Sequence, residues 1–343
     1  MRILLCLASA AGGIGTHVTD LASSLSVAGH DVRVATDPET RARFALPGDA
    51  PLTIRAVREL ARGADVVHAH GFRAGMVAAC GVHDTPFVIS LHNPVRGSGL
   101  SPRRLVGEVA ARTVIRRAAL VTGASSDLVN DALGMGAHRA ELAAVPSPHV
   151  PQLLATDREA WRNAERADLL AAHGLDPQRP LVLTIARVAP QKGIDVLVRA
   201  ADQAPGQWAL LGPGQQTLVD HRPLHLLGES REVGPWLLAA DVLVVPSEWE
   251  ARALVVQEAM AAGTPVVARR VGGLPDLLEG VGLLVDGPQA DSAAPIARAV
   301  SATLDHPERA FRAAEAARDR AREWDGLDRS ALRWTLWYSA LRT

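Results

Sequence analysis

The segment from Asp241 to Ala268, DVLVVPSEWEARALVVQEAMAAGTPVVA, restricts the fold more than any other part of the chain. It opens on the apolar run Val242 to Val245, which Pro246 and Ser247 stop, and it closes on a second run, Val266 to Ala268. Between them Leu254 to Ala262 is rich in helix formers and free of proline, so the pattern predicts strand, loop, helix, strand. Glu250 falls in the loop just outside the carboxyl end of a strand, where open α/β sheets bind ligands, and Glu258 lies about one turn into the helix. The helix start near Ala253 to Val255, with Leu254 in it, offers backbone N–H groups and the positive end of the helix dipole, which suits a phosphate. A carboxylate on either side of a phosphate site fits a ligand with hydroxyls at both ends, the shape of a nucleotide sugar.

Pro246, Ser247, Glu250, Glu258, Ala259, Met260, Gly263, Pro265 and Val266 follow the signature PS-x-x-E-x7-E-AM-x-x-G-x-PVV. On these residues the chain resembles the retaining glycosyltransferases of family 4, which have the two-domain GT-B fold. The resemblance implies that Glu250 holds hydroxyls of the transferred sugar and that Glu258 holds the ribose of the nucleotide. Relatives have glycines and an aromatic residue after the first glutamate. Here Ala251, Arg252 and Ala253 follow Glu250, a departure that bears on the donor sugar.

At 343 residues the chain has room for two domains, and 48% hydrophobic residues supply their cores. A net charge of -1 gives no reason to expect nucleic acid as a partner. Cys6 and Cys80 are too few for a disulfide framework, and both sit in apolar runs that read as core. No charged-then-apolar leader precedes the first strand, and no apolar run approaches the roughly 20 residues that span a bilayer, so a soluble, cytoplasmic chain without integral membrane association is expected.

The first half begins with a strand over Arg2 to Ala8, a glycine-rich turn over Ser9 to Gly15, a helix over Thr16 to Ala28 and a strand over Asp31 to Ala35. Gly12, Gly13 and Gly15 let backbone approach a ligand, although a turn with no ligand has the same glycines. The turn also looks like that of a short-chain dehydrogenase. That enzyme type has a Tyr-x-x-x-Lys pair, and the chain's single tyrosine, Tyr338, lies far from its only lysine, Lys192. In family 4 the loop reads GG-x-x-x-H, and Gly12, Gly13 and His17 match it. Strands are predicted over Ala64 to Ala69 and Phe87 to Leu91, the first ending in His68 and His70, the second followed by His92. Read alone, His68 and His70 are hydrogen-bonded structural residues, while a histidine in the place of His92 is able to relay a proton. The resemblance assigns His92, with Gly12 and Gly13, to the acceptor side, and Gly13 to the donor as well. The basic helix over Arg103 to Ala118, with Arg103, Arg104, Arg112, Arg116 and Arg117, reads as a solvated face interrupted by Glu108. Leu142 to Val145 is the last predicted strand of this half, and Pro146, Pro148 and Pro151 mark a linker.

A helix over Arg158 to His173 opens the second half. Leu181 to Ile185 is an apolar strand, and Arg187 and Lys192 sit in the loop after it. Of 36 Lys+Arg residues only Lys192 is lysine, so in a composition that turns surface lysines into arginine this one is expected to contact a ligand phosphate, although a solvated loop lysine has the same setting. The segment Ala186 to Gly193 is similar to the family motif G-R-x-x-x-x-KG, whose Arg and Lys neutralise the diphosphate leaving group. His225 opens the run His225 to Leu227 before Gly228 and Glu229, which corresponds to the place where relatives pack the nucleobase. Trp334, Trp337 and Tyr338 have helical spacing in a long helical tail over Glu308 to Leu341 and read as packing.

No Cys/His cluster with metal-ligand spacing appears, so no metal is expected and Arg187 and Lys192 take the place of a cation. The expectation is therefore an α/β chain of two doubly wound Rossmann-like domains facing a cleft. The acceptor domain covers 1–150, with a final helix at about 328–343 crossing back to it, and the nucleotide-sugar domain covers 151–327. By the resemblance it is a retaining hexosyltransferase moving sugar from a UDP-sugar, or next a GDP-sugar, to a small-molecule hydroxyl. Arg187, Lys192, Glu250 and His92 are its catalytic residues, and Gly13, His225, Leu254, Val255 and Glu258 complete donor binding. No cofactor beyond the nucleotide-sugar co-substrate is expected. A GT-B nucleotide-sugar epimerase would carry extra acids or histidines, and a degenerate scaffold would have lost Arg187, Lys192, Glu250 or Glu258.

Overall fold

The computed structural model describes residues 1–10, 12–94 and 102–342, and only the backbone of 102–106. Ala11 of the glycine-rich turn and the side chains of Arg103 and Arg104 lie outside the described residues. The chain divides into two compact units, Met1–Pro146 with Asp325–Thr343, and Ser147–Trp324.

In the first unit the described strands are β1 (Arg2–Leu7), β2 (Asp31–Ala35), β3 (Val66–His70), β4 (Phe87–Leu91), β5 (Leu120–Gly123) and β6 (Ala140–Leu142). All pair in parallel in the order β2-β1-β3-β4-β5-β6. β3 and β4 are buried along their whole length, with His68, His70 and Ser90 among their buried residues. β6 is shorter and earlier than the run from Leu142 to Val145 suggests. Its partner β5 ends at Gly123 opposite Leu142, so Ala143 and Val145 are buried without a strand to pair with. Cys6 is buried, but Cys80 is exposed: the helix Phe72–Gly81 turns Ala74, Ala78 and Ala79 inward and leaves Cys80 outside.

The second unit contains β7 (Leu181–Ile185), β8 (Gln207–Leu211), β9 (His225–Leu226), β10 (Val242–Val245), β11 (Val266–Arg269) and β12 (Leu283–Val285). Its parallel order is β12-β11-β10-β7-β8-β9. Helices cover both faces, with Val256, Met260 and Leu274 packed on one core and Val196, Ile296 and Val300 on the other. The helical stretch over 158–172 contains a π-helical turn at Arg162–Arg166. It sets Arg162 and Arg166 on the two oxygens of Asp241, at 2.7 and 2.9 Å, and so ties the stretch to the start of β10. In both sheets the strand order reverses beside the first strand, between β1 and β3 and between β7 and β10. Open α/β sheets bind ligands at the carboxyl edge of such switch points.

The tail is two helices, Pro307–Arg322 and Leu327–Ala340, broken at Gly326. The second joins the first unit's core. Trp334 and Tyr338 are buried there with Ile3, Leu5 and Leu7, as their helical spacing predicts. A buried row of hydrogen bonds links this helix to the sheet. Tyr338 Oη meets His68 Nδ1 at 2.7 Å, His68 Nε2 meets Ser90 Oγ at 2.7 Å, and Ser90 Oγ meets Thr122 Oγ1 at 2.6 Å. His68 is thus the structural residue its sequence context suggests. Among the described residues no helix is long and apolar enough to cross a membrane.

Replacing Tyr338 with Phe keeps the ring packing but strips His68 Nδ1 of its partner, so it should destabilise the chain by about 1–3 kcal/mol. Chemical denaturation of the variant measures this, and an unchanged midpoint would show that the row adds nothing.

Candidate functional site

Two loops leave the carboxyl edge of the second sheet at its switch point. The loop after β7 runs through a short turn at Pro190–Lys192 to the helix Ile194–Ala201. The loop after β10 runs from Pro246 to the helix Leu254–Ala262. Glycines let these loops and their neighbours pack backbone to backbone. A Cβ on Gly193, at φ +63°, would lie 2.5 Å from the Pro246 carbonyl oxygen. One on Gly272, at φ +54°, would lie 2.0 Å from that of Glu250. Both positions require a left-handed backbone and no side chain.

The packing brings Lys192 and Glu250 together. Lys192 Nζ donates to Glu250 Oε1 at 2.5 Å, and Ser247 Oγ donates to the same oxygen at 2.7 Å. Both charged side chains are less than one-fifth exposed. Beside them the helix Leu254–Ala262 starts with no side-chain cap. The N–H groups of Leu254 and Val255 have no hydrogen-bond partner among the described residues. A cavity of about 110 Å³ lies here, lined by Thr184, Ala186, Lys192, Glu250, Leu254 and Val255 among others. A cation, two unengaged N–H groups at a helix N-terminus and a carboxylate therefore surround one space, and that combination suits a phosphate carrying a hydroxylated group.

The other expected donor residues lie around this centre rather than in it. Arg187 is exposed on the loop after β7 and has no hydrogen bond or ion pair with a described residue. His225 is half-buried on β9. Glu258 is buried on the helix Leu254–Ala262, and its Oε1 is bonded by Ser147 Oγ at 2.6 Å and His149 Nδ1 at 3.1 Å. Ser147 and His149 sit in the proline cluster, and a reading of that stretch as linker alone passes over them. Arg269 also escapes the sequence. It is the charged residue that ends the apolar run of β11, it is buried, and it donates to the Ser247 carbonyl at 3.0 Å and, at 2.7 Å, to that of Gly287. Arg252, which stands where relatives have an aromatic residue, lies over the Trp324 ring at 5.3 Å from its centroid.

In the first unit Gly12 is the extended residue before the helix Gly13–Val27, and a Cβ there would meet nothing within 4 Å. Gly15 serves packing instead of a ligand, because a Cβ on it would lie 2.3 Å from the Phe44 ring. Folding also assembles what sequence spacing hides. His17, His70 and His92 each present a ring nitrogen within 4.8 Å of the other two. The expectation of no histidine cluster fails because its members come from one helix and two strand ends that are far apart in the chain. Burial pushes the His17 pKa down to about 4 and that of His92 down to about 3. His92 is therefore a neutral imidazole near neutral pH and no reservoir for a proton there.

Both histidines have folded pKa values below the ordinary 6.5, so the unfolded chain binds more protons as the pH falls below that value. Their contribution to stability is complete above the unfolded pKa and is lost toward the folded one. For His17 alone the loss reaches roughly 3 kcal/mol by about pH 4. Denaturation midpoints between about pH 7.5 and about pH 4.5 should fall less steeply in His17→Gln than in the unmodified chain, and equal slopes would contradict the assignment.

Comparison with known proteins gives this geometry its context. The family model described as "Glycosyl transferase 4-like domain" matches residues 12–148, and the one described as "Glycosyl transferases group 1" matches residues 179–306. A D-inositol 3-phosphate glycosyltransferase of Mycobacterium sp. (strain KMS) is 32% identical over 250 residues, 65% of this chain but only 56% of that relative's length. The alpha-maltose-1-phosphate synthase of Mycolicibacterium smegmatis is 30% identical over 363 residues, 91% of each chain. In fold, the chain superposes on Anabaena Alr3699/HepE in complex with UDP-glucose with a TM-score of 0.82 at 20% identity, covering 99% of this chain and 100% of that one. It superposes on sucrose-phosphate synthase from Thermosynechococcus elongatus with a TM-score of 0.78 at 22% identity, covering 99% of both. Two parallel sheets with their switch-point loops, two family models laid one on each half, and a relative aligned along nine-tenths of the length agree: the chain belongs to the GT-B glycosyltransferases of group 1.

Proposed function

We propose that the chain is a family 4 enzyme that transfers a hexose-type sugar from a nucleoside-diphosphate donor, UDP-sugar before GDP-sugar, to a hydroxyl of a small acceptor with retention of configuration. The observation that carries this reading is the Lys192–Glu250 pair beside the uncapped start of the helix Leu254–Ala262. As the glycosidic bond breaks, negative charge builds on the departing diphosphate. The Lys192 ammonium, the Arg187 guanidinium and the N–H groups of Leu254 and Val255 stabilise that charge without a metal at the diphosphate. Glu250, fixed by Ser247, accepts hydrogen bonds from sugar hydroxyls. In the free protein Lys192 and Glu250 neutralise each other, and donor binding re-pairs each with a group of opposite character.

Glu258 accepts from the ribose hydroxyls, and Ser147 and His149 hold its carboxylate in place for that contact. His225 stacks on the base. Acceptor binding is assigned to the first unit at Gly12, Gly13 and His92. The neutral state of His92 makes it a hydrogen-bond partner for the acceptor rather than a stored acid. The names of the relatives, an inositol 3-phosphate glycosyltransferase and a maltose-1-phosphate synthase, favour a small phosphorylated polyol or sugar as acceptor.

The test is nucleoside-diphosphate release from UDP- and GDP-hexoses against a panel of phosphorylated polyols and sugars, with the anomeric configuration of the product read by NMR. Lys192→Ala should lower kcat/KM by about 100-fold to 1,000-fold, the cost of losing one group that stabilises transition-state charge. Retention is the expected stereochemistry. Release unaffected by the substitution would remove the proposed role of Lys192, and an altered donor sugar without any acceptor would replace transfer by epimerisation.

A further inference from the structure

The donor reading makes no use of the histidine group in the first unit, and the acceptor reading uses only His92 of it. His17 lies in the second turn of the helix Gly13–Val27, His70 is the last residue of β3, and His92 directly follows β4. All three are buried, with relative exposures of 6%, 2% and 8%. The His70 and His92 rings stack with centroids 5.5 Å apart, and the His17 ring stands edge-on to both, at 5.6 and 5.5 Å. His70 Nδ1 and His92 Nε2 are 3.3 Å apart. His70 Nε2, by contrast, is buried with no hydrogen-bond partner among the described residues. Leaving a buried imidazole nitrogen unpaired costs about 1–3 kcal/mol, an expense that packing alone does not explain.

We infer that His17, His70 and His92 form a three-imidazole site for a divalent transition-metal cation. Three elements held by a parallel sheet bring three nitrogen donors to within 4.8 Å of one another, and the group includes no carboxylate or thiolate. Metal–nitrogen bonds of about 2.0–2.1 Å place tetrahedral ligands roughly 3.3 Å apart, so small side-chain adjustments close the set. Imidazole donors without carboxylates select Zn²⁺, Cu²⁺, Ni²⁺ or Co²⁺ over Mg²⁺ or Ca²⁺, which prefer oxygen. Three protein ligands also leave a fourth position for a water or a hydroxyl, the arrangement of reactive rather than purely structural zinc sites. The neighbouring His68 does not belong to the set. Its ring is tilted against that of His70 with centroids 4.1 Å apart, but Tyr338 and Ser90 take both of its nitrogens.

The test is titration of the untagged full-length chain with Co²⁺ alone, followed through the visible bands of tetrahedral cobalt, and then displacement by Zn²⁺. The expected result is one Co²⁺ per chain. His17→Gln and His92→Gln should each weaken binding by more than about 100-fold, beyond what loss of a merely supporting contact costs. His68→Gln should change it by less than about tenfold, the lower end of that supporting range. Circular dichroism shows which variants fold, and whichever of His17→Gln and His92→Gln folds decides the matter. Absence of stoichiometric bands, affinity unchanged in the folded variants, or an equal loss in His68→Gln would leave a hydrogen-bonded core cluster and overturn the metal assignment.

Discussion

The second unit depends on one constraint: the loops after β7 and β10 must share the carboxyl edge of the sheet where the strand order reverses. The Lys192–Glu250 pair is the result, at 2.5 Å and mostly shielded from water. A pair in that setting gains more from Coulomb attraction than one on the surface, but it also pays to lose water, so its net worth to folding is small. Its value lies in geometry. Each charge holds the other beside the uncapped start of the helix Leu254–Ala262, and the glycines at 193 and 272 keep both loops at backbone contact distance.

The first unit uses the same architecture with different chemistry. Its switch point lies between β1 and β3, and histidines occupy its carboxyl edge instead of an ion pair. Burial keeps His17 and His92 uncharged, while the row from Tyr338 through His68 and Ser90 to Thr122 anchors the last helix against the sheet. That helix comes from the far end of the chain, so the first unit's core is completed only after the second unit has been made.

Much of this was legible in the sequence, for identifiable reasons. A fully buried parallel strand such as β10 leaves an uninterrupted apolar run, Glu250 and the helix start at Leu254 follow it in one continuous segment, and Lys192 stands out as the single lysine. What escaped depends on contacts between distant segments. Nothing near Gly15 announces Phe44, nothing near Glu258 announces Ser147 and His149, and the three histidines converge only through the sheet. Cys80 misled because an apolar helix of small residues has no clear polar face, and the run over Leu142 to Val145 misled because strand length is set by the partner strand.

The most direct test of the central claim, that the switch point of the second unit holds a nucleoside diphosphate through Lys192, is calorimetric titration with UDP, GDP, ADP and TDP, repeated on Lys192→Ala. The account predicts that one of these binds, UDP first, and that the substitution weakens it at least about tenfold, about 1.4 kcal/mol. If none binds, or if the substitution leaves the affinity unchanged, the site at Lys192 and Glu250 is not the donor site.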